Sequence, residues 1–297
     1  MRSLIILLIT LILLSQSAQV IARSGNGGGK EPPDSVNQLK VESFNLRLDT
    51  PHDGINAWPH RQQLVLTHLQ QTQPDVVGMQ EVLVHQLDWL AEHLPDYAFI
   101  GVGRDDGKRG GEFVPLLYNT LTLNKLDSGY FWLSETPNVP GSIGWLAHLP
   151  RIVTWAKFAQ HNKVFFVFNA HFSHVSDLAR QKSAEFLVRY IPTIAGDNPV
   201  ILMGDLNTQD SESAYTTIIA NPSLQFIDTG LTDGRQPAAT FNGFGQPDAK
   251  RIDYIFISKG LSSSDYTTHQ ERQGELYISD HYPISTLIMF AILNKQQ

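Results

Sequence analysis

The chain has 297 residues, is 42% hydrophobic, carries 22 Lys and Arg against 29 Asp and Glu for a formal net charge of -7, and contains no Cys. That length and apolar share can bury a large core without disulfides, and a 17% charged share with no long charge run excludes extended disorder beyond the N-terminal region. An acidic balance argues against long duplex DNA as a substrate, because Lys and Arg neutralising phosphates supply most of the non-specific attraction. It says nothing against small phosphate esters, where local charge decides.

In chain order, Arg2, the apolar run Leu4 to Leu14 and the small side chains around Val20-Ile21-Ala22 predict a secretory signal peptide over residues 1–22. The run is short for a bilayer, so no stable membrane span is expected; an uncleaved anchor is the competing reading. Cleavage would remove Arg2 and no acid, leaving a more acidic chain, secreted or periplasmic in the manner of an exported bacterial enzyme. Residues 23–37, Gly- and Pro-rich from Ser24 to Asp34, read as a flexible linker, and residues 38–293 as one domain without repeats.

Within that domain, Val41 to Leu46, Val76 to Met79, Phe113 to Tyr118, Ile152 to Phe158, Val164 to Asn169, Val200 to Met203, Arg251 to Ser258 and Ile284 to Phe290 read as strands. Pro59 to Gln71 reads as a helix stopped before Pro74. Leu83, Leu87, Leu90 and Leu94 recur at helical spacing. Ser176 or Asp177 caps a helix running to Tyr190. Many strands with interspersed helices predict two packed sheets flanked by helices, in an α+β chain.

The strands share a feature that stability does not require. They end in Asn45, in Glu81, in Asn169 and His171, and in Asp205 and Asn207; Asp253 lies in another, and Asp280 and His281 precede the last. Asn and Asp at a strand end are ordinarily turn formers, but polar groups of this kind at so many strand ends would converge on one site at a common sheet edge.

The set Phe44-Asn45, Gln80-Glu81, Asn169-Ala170-His171, Gly204-Asp205-Leu206-Asn207, Arg251-Ile252-Asp253-Tyr254 and Ser279-Asp280-His281 resembles the endonuclease/exonuclease/phosphatase family, in family order, over residues 44 to 283. The resemblance implies a four-layer α/β/β/α sandwich of the deoxyribonuclease I-like type, and a Mg2+-dependent phosphoric ester hydrolase, with Mn2+ as a substitute ion. It implies Glu81, Asn45 and Asp280 as metal ligands, Asp205 as the group that orients or deprotonates the attacking water, and Asn207 and His171 as donors to the phosphoryl group. His281 would lie near the scissile phosphate, paired to Asp253, as base or as charged stabiliser. Glu112 sits where the nuclease branch carries a carboxylate partner for the counterpart of His171; an exposed loop acid is the other reading. Arg151 is a candidate phosphate clamp or a surface Arg.

The remaining histidines, among them His68, His174 and His269, show no zinc-ligand spacing, and His174 reads as a helix-entry residue. The loop Gly103 to Gly111 is either a substrate cover or a plain solvated loop. Trp132 and Trp145 could stack on a base or sugar, although packing is the commoner use. The leading reading is therefore a secreted phosphohydrolase of a small or medium phosphate ester, monoester or diester. A non-specific nuclease needs a basic groove from Arg104, Lys108, Arg109 and Arg151. A sphingomyelinase-like enzyme lacks a membrane-inserting aromatic hairpin motif here, and a non-catalytic binding module would have lost part of the polar set. No protein partner is expected.

Overall fold

The computed structural model describes residues 38–291, Arg235 excepted; the predicted signal peptide (1–22), the linker (23–37) and residues 292 and 293 of the expected domain lie outside the described residues. Period-two alternation in the apolar runs sends alternate side chains to opposite sheet faces, so each sheet can bury two faces. The first sheet contains β1 (Gln38–Asn45), β2 (Val76–Gln80), β3 (Tyr97–Ile100), β4 (Leu116–Asn119), β11 (Leu261–Thr268) and β14 (Ile284–Phe290), in the order β11-β14-β1-β2-β4-β3. The second contains β5 (Asn124–Trp132), β6 (Ile152–Gln160), β7 (Lys163–His171), β8 (Val200–Asp205), β9 (Ile227–Asp228) and β10 (Asp253–Ile257), in the order β5-β6-β7-β8-β10-β9. Short strands β12 (Arg272–Gln273) and β13 (Leu276–Tyr277) form a separate hairpin.

Each large sheet has a single parallel pair, β1 with β2 and β7 with β8. Parallel neighbours need a crossover, and the crossovers carry α1 (Trp58–Thr72) and α3 (Asp177–Ala195). Val41, Ile201, Met203, Ile255 and Ile288 pack between the sheets. On the outer face of the first sheet, Phe44 and Met79 meet Leu66 and Leu69 of α1 and Leu90 of α2 (Val84–His93). On the outer face of the second, Phe168 and Phe256 meet Leu187 and Ile191 of α3 and Ile218 of α4 (Ser213–Ile219). This is the four-layer α/β/β/α sandwich.

The two sheets are locked together close to the edge where the polar strand ends emerge. Asn169 on β7 donates through Nδ2 to Met79 O at 2.7 Å and Pro115 O at 2.8 Å, and accepts from Gln80 Nε2 at 2.7 Å. A Cβ on Gly78 would come within 2.6 Å of Met203 Sδ, so glycine is what permits this approach. Gly204 (φ +140°) is tighter still: a Cβ there would lie 1.9 Å from Ala170 O. Asn169 therefore acts as a cross-sheet staple rather than as a group of the cavity.

Several elements differ from the sequence reading. The strand expected from Phe113 begins at Leu116; Phe113 instead bridges Val82 and Gly103, and Pro115, which has no N–H, accepts from Met79 N at 2.9 Å. The helix expected to stop at Tyr190 continues to Ala195, since Pro192 sits in the last turn and Gly196 N closes on Pro192 O at 3.0 Å. Strands β3, β5, β9, β11, β12 and β13 and helix α4 were not expected.

Candidate active site

Strand register assembles the site. The parallel pairing of β1 and β2 sets Asn45 beside Gln80, so Glu81 leaves the sheet next to Asn45. In the second sheet His171 pairs with Asp205 across β7 and β8, and Asp205 pairs with Asp253 across β8 and β10, giving three polar groups in one transverse row. The Asp280–His281 turn before β14 is tied to this edge: Ser279 Oγ donates to Asn45 O at 2.7 Å and accepts from His281 N at 3.2 Å.

The two halves meet at Asn45. Its Nδ2 donates to Asp205 Oδ2 at 2.9 Å and Glu81 Oε1 at 3.1 Å, while its Oδ1 accepts from Arg47 N at 3.0 Å. Asn45 thus turns its nitrogen, not its oxygen, toward the carboxylates. His281 Nδ1 lies 2.8 Å from Asp253 Oδ2, and its Nε2 lies 3.8 Å from Asp205 Oδ2. His171 Nε2 is 3.5 Å from the same Asp205 oxygen.

A cavity of about 570 Å³ opens at this cluster. Of the predicted residues, Glu81, Glu112, Arg151, His171, Asp205, Asn207, Asp280 and His281 line it. Asn45 and Asp253 are buried behind that lining. The sequence reading missed Arg47, Arg180, Gln209, Glu212, Phe241 and Lys250, which also line it. Arg47 lies two residues beyond Asn45 and the others sit on helix or loop positions, so none carried a strand-end signal.

Arg151 is 3% exposed and therefore no surface residue. Its Nη2 donates to His174 Nδ1 at 2.8 Å, while its Nε and Nη1 have no hydrogen-bond partner. A buried guanidinium beside a cavity, with donors that the protein leaves idle, has the chemistry to suit an anion. His174 also lines the cavity. Glu112 is placed at the cavity but pairs with Arg104 Nη1 at 2.6 Å, not with His171, whose Nδ1 is buried without a partner.

Burial and neighbouring charge push the site's titratable groups in different directions. Burial, reinforced by Asp253, pushes Asp205 up to about 7. Burial alone would lower His281, but Asp253 and Asp205 outweigh it and hold the imidazole well above its ordinary value. Burial drives His171 well below its ordinary value, with Arg151 and Arg104 adding to the effect. Burial would raise Glu81, yet His281 and Arg47 hold it below the usual carboxylate range. Glu81 (φ 59°) and Asn207 (φ 49°) occupy the left-handed backbone region, which costs about 1–3 kcal/mol each and is tolerated where the surroundings fix the geometry.

The donor set suits a hard divalent cation. Glu81 Oε2 and Asp280 Oδ2 converge on one positive centre, Arg47 Nη1, at 3.8 and 3.6 Å. Their oxygens match the preference of Mg2+, and Glu81, His171 and Asp205 also lie close enough to share one ion. The loop Gly103 to Gly111 is closed by its own hydrogen bonds, with Asp106 Oδ1 accepting from Lys108 N at 2.7 Å and Gly110 N at 2.9 Å. Trp132 is buried and donates to Arg104 O at 2.7 Å, a packing role.

Residues 43–281 match the Endonuclease/Exonuclease/phosphatase family. A family structure from Bacteroides vulgatus aligns with 37% identity and a TM-score of 0.81, covering 85% of this chain and 99% of that one. A mannosyl-6-phosphatase from Bacteroides thetaiotaomicron aligns with 32% identity and a TM-score of 0.76, covering 85% of this chain and all (100%) of that one. An uncharacterized protein of Acanthamoeba polyphaga mimivirus is 30% identical over 184 residues, 58% of this chain and 68% of its own length. Family match, sandwich architecture and convergent polar edge agree: the chain belongs to the endonuclease/exonuclease/phosphatase family and is a phosphoric ester hydrolase.

Proposed function

We propose that the chain is an exported Mg2+-dependent phosphatase of small, polar phosphate esters, with sugar phosphates the first class to test. The observation that carries this is Arg151: a buried guanidinium with two idle donors on the wall of a charged cavity that also holds Asp205, His171 and Glu81. Such a cavity suits a dianionic phosphate on a hydrophilic leaving group. The mannosyl-6-phosphatase relative supports the sugar-phosphate class.

Glu81 and Asp280 would hold the ion, with Asn45 beside them; a divalent cation bound there supplies charge neutralisation on the phosphoryl oxygens. Arg151 and His171 bind and orient the phosphate, and Asn207 lies at its edge. Asp205, poised at about 7, takes the proton of the attacking water near neutral pH. His281, kept protonated by Asp253, stabilises charge on the phosphoryl group as the ester oxygen leaves.

A nuclease reading has less support. Arg109 is paired to Asp88 at 2.6 Å and Arg104 to Glu112 at 2.6 Å, so two of the four basic side chains are already matched by carboxylates. The test is hydrolysis by the purified protein with Mg2+ or EDTA, on hexose phosphates, nucleotides, bis-nitrophenyl phosphate, plasmid and sphingomyelin. EDTA-sensitive phosphate release from a sugar phosphate is expected; plasmid nicking without phosphate release would overturn it.

A further inference from the structure

On the helix-covered face of the first sheet, outside the cavity lining, two histidines and two glutamates from opposite ends of the chain meet. His68 of α1 is buried, its side chain 1% exposed, and its Nε2 lies 2.9 Å from Oε1 of the fully buried Glu42 on β1. His269, just beyond β11, has its Nε2 2.8 Å from Ser285 Oγ. The two rings meet edge to face with centroids 4.9 Å apart. Both Nδ1 atoms then face one carboxylate oxygen, Glu271 Oε1, at 3.3 Å from His68 and 3.4 Å from His269.

We propose that His68, His269 and Glu271 form a second metal site, for a zinc-class divalent ion. Three observations carry it. First, the spacing fits: ligand bonds of about 2.0–2.1 Å at tetrahedral angles put neighbouring donor atoms roughly 3.3 Å apart. The two measured separations are 3.3 and 3.4 Å, and all three residues offer donor atoms within 4.8 Å of one another. Second, His68 Nδ1 and Glu271 Oε2 are buried and make no hydrogen bond. Each Nδ1 faces a carboxylate oxygen, so each position calls for positive charge, either a proton on the imidazole or a metal ion shared between the rings. Third, outer partners are already in place: the Glu42 carboxylate can accept only Nε2–H from His68, and the Ser285 hydroxyl can accept it from His269, so both rings are oriented as in metal-bound histidines.

Two imidazole nitrogens and one carboxylate select a borderline-soft ion such as Zn2+, whereas the carboxylate-rich active site suits Mg2+. Glu271 is 37% exposed at its side chain, which leaves an ion a way in from solvent. Such an ion would pin α1 to the β11–β12 connection in a chain that has no cysteine to form a disulfide.

The test uses the purified full chain, stripped with a chelator and kept in saturating Mg2+ to fill the oxygen-donor site, then titrated with Zn2+ and separately Co2+. The wild type should retain one equivalent of zinc through gel filtration, gain thermal stability, and show the visible absorption of tetrahedral Co2+. All three signals should vanish in His269→Gln and persist in Glu81→Gln. Glu271→Gln serves if His269→Gln does not fold by circular dichroism. Equal zinc retention and cobalt absorption in wild type and both site variants would overturn the proposal. So would their loss in Glu81→Gln alone, or no retained zinc in the wild type.

Discussion

His281 and His68 present the same local motif in two places. Each is a buried histidine with one ring nitrogen 2.8–2.9 Å from a buried carboxylate, Asp253 or Glu42, and each is held above its ordinary pKa by such neighbours against the opposing effect of burial. They differ in what the second nitrogen meets. For His281 it faces Asp205 at the mouth of a cavity of about 570 Å³; for His68 it faces Glu271 and a second imidazole. A His–carboxylate pair is therefore not in itself catalytic. The space and the acceptor beyond it decide whether the pair serves chemistry or cohesion.

The strongest way to break this comparison is Asp205→Asn, which removes the carboxylate beyond His281. kcat should fall by about 10²–10⁴-fold with little change in KM or in folding, as for loss of a general base. Retained turnover in steady-state assays would remove Asp205 from the reaction.

On the cohesive side, His68→Ala strands the carboxylate of Glu42, which is 0% exposed. Breaking a buried pair in this way costs about 3–5 kcal/mol. Urea denaturation should show that loss, and an unchanged midpoint would mean that the pair adds nothing to the fold.

Arg151→Ala should lower kcat/KM by about 10–100-fold, the worth of charge-assisted hydrogen bonds to a phosphate, chiefly through KM. Arg151→Lys should recover only part of it, because an ammonium cannot reproduce the fork.

The pH profile sharpens the comparison further. Asp205 titrates near 7, and below that pH it already carries the proton it must accept, so kcat/KM should drop about tenfold per unit on the acid side. His281, held well above its ordinary value, stays protonated through the same range and adds no limb there. A flat profile from pH 5 to 8 would reassign the base.

The smallest expected effect is a control outside both clusters. Ser176 Oγ caps α3 by accepting from Ala179 N at 3.1 Å, so Ser176→Ala should cost about 1 kcal/mol in denaturation and leave turnover unaltered.

Much of the active site was readable because a strand's polar terminus is a local feature. The ends of β1, β2, β7 and β8 carry Asn45, Glu81, His171 and Asp205, and family order tied them together. What a linear reading missed depended on partners. β5 is mostly solvent-exposed and β11 is Ser-rich, so neither shows the apolar alternation that marks a buried strand. Glu112 was expected beside His171 and instead pairs with Arg104, because the folded loop Gly103 to Gly111 brings that guanidinium to it. Nothing along the chain marks Arg61 of α1, yet it is buried and donates to the carbonyls of Leu46, Arg47 and Ile278, tying the exit of β1 to the segment before β14.

The amino-acid sequence alone determined the family, the strands that end in chemistry and the residue types a phosphate ester needs, because these follow from local patterning and side-chain chemistry. Tertiary structure alone decided which groups face one another, that burial raises Asp205, that Arg151 holds idle donors, and that His68 and His269 meet at all. Those properties depend on burial and on distances between residues far apart in the chain, and no spacing along the chain encodes them.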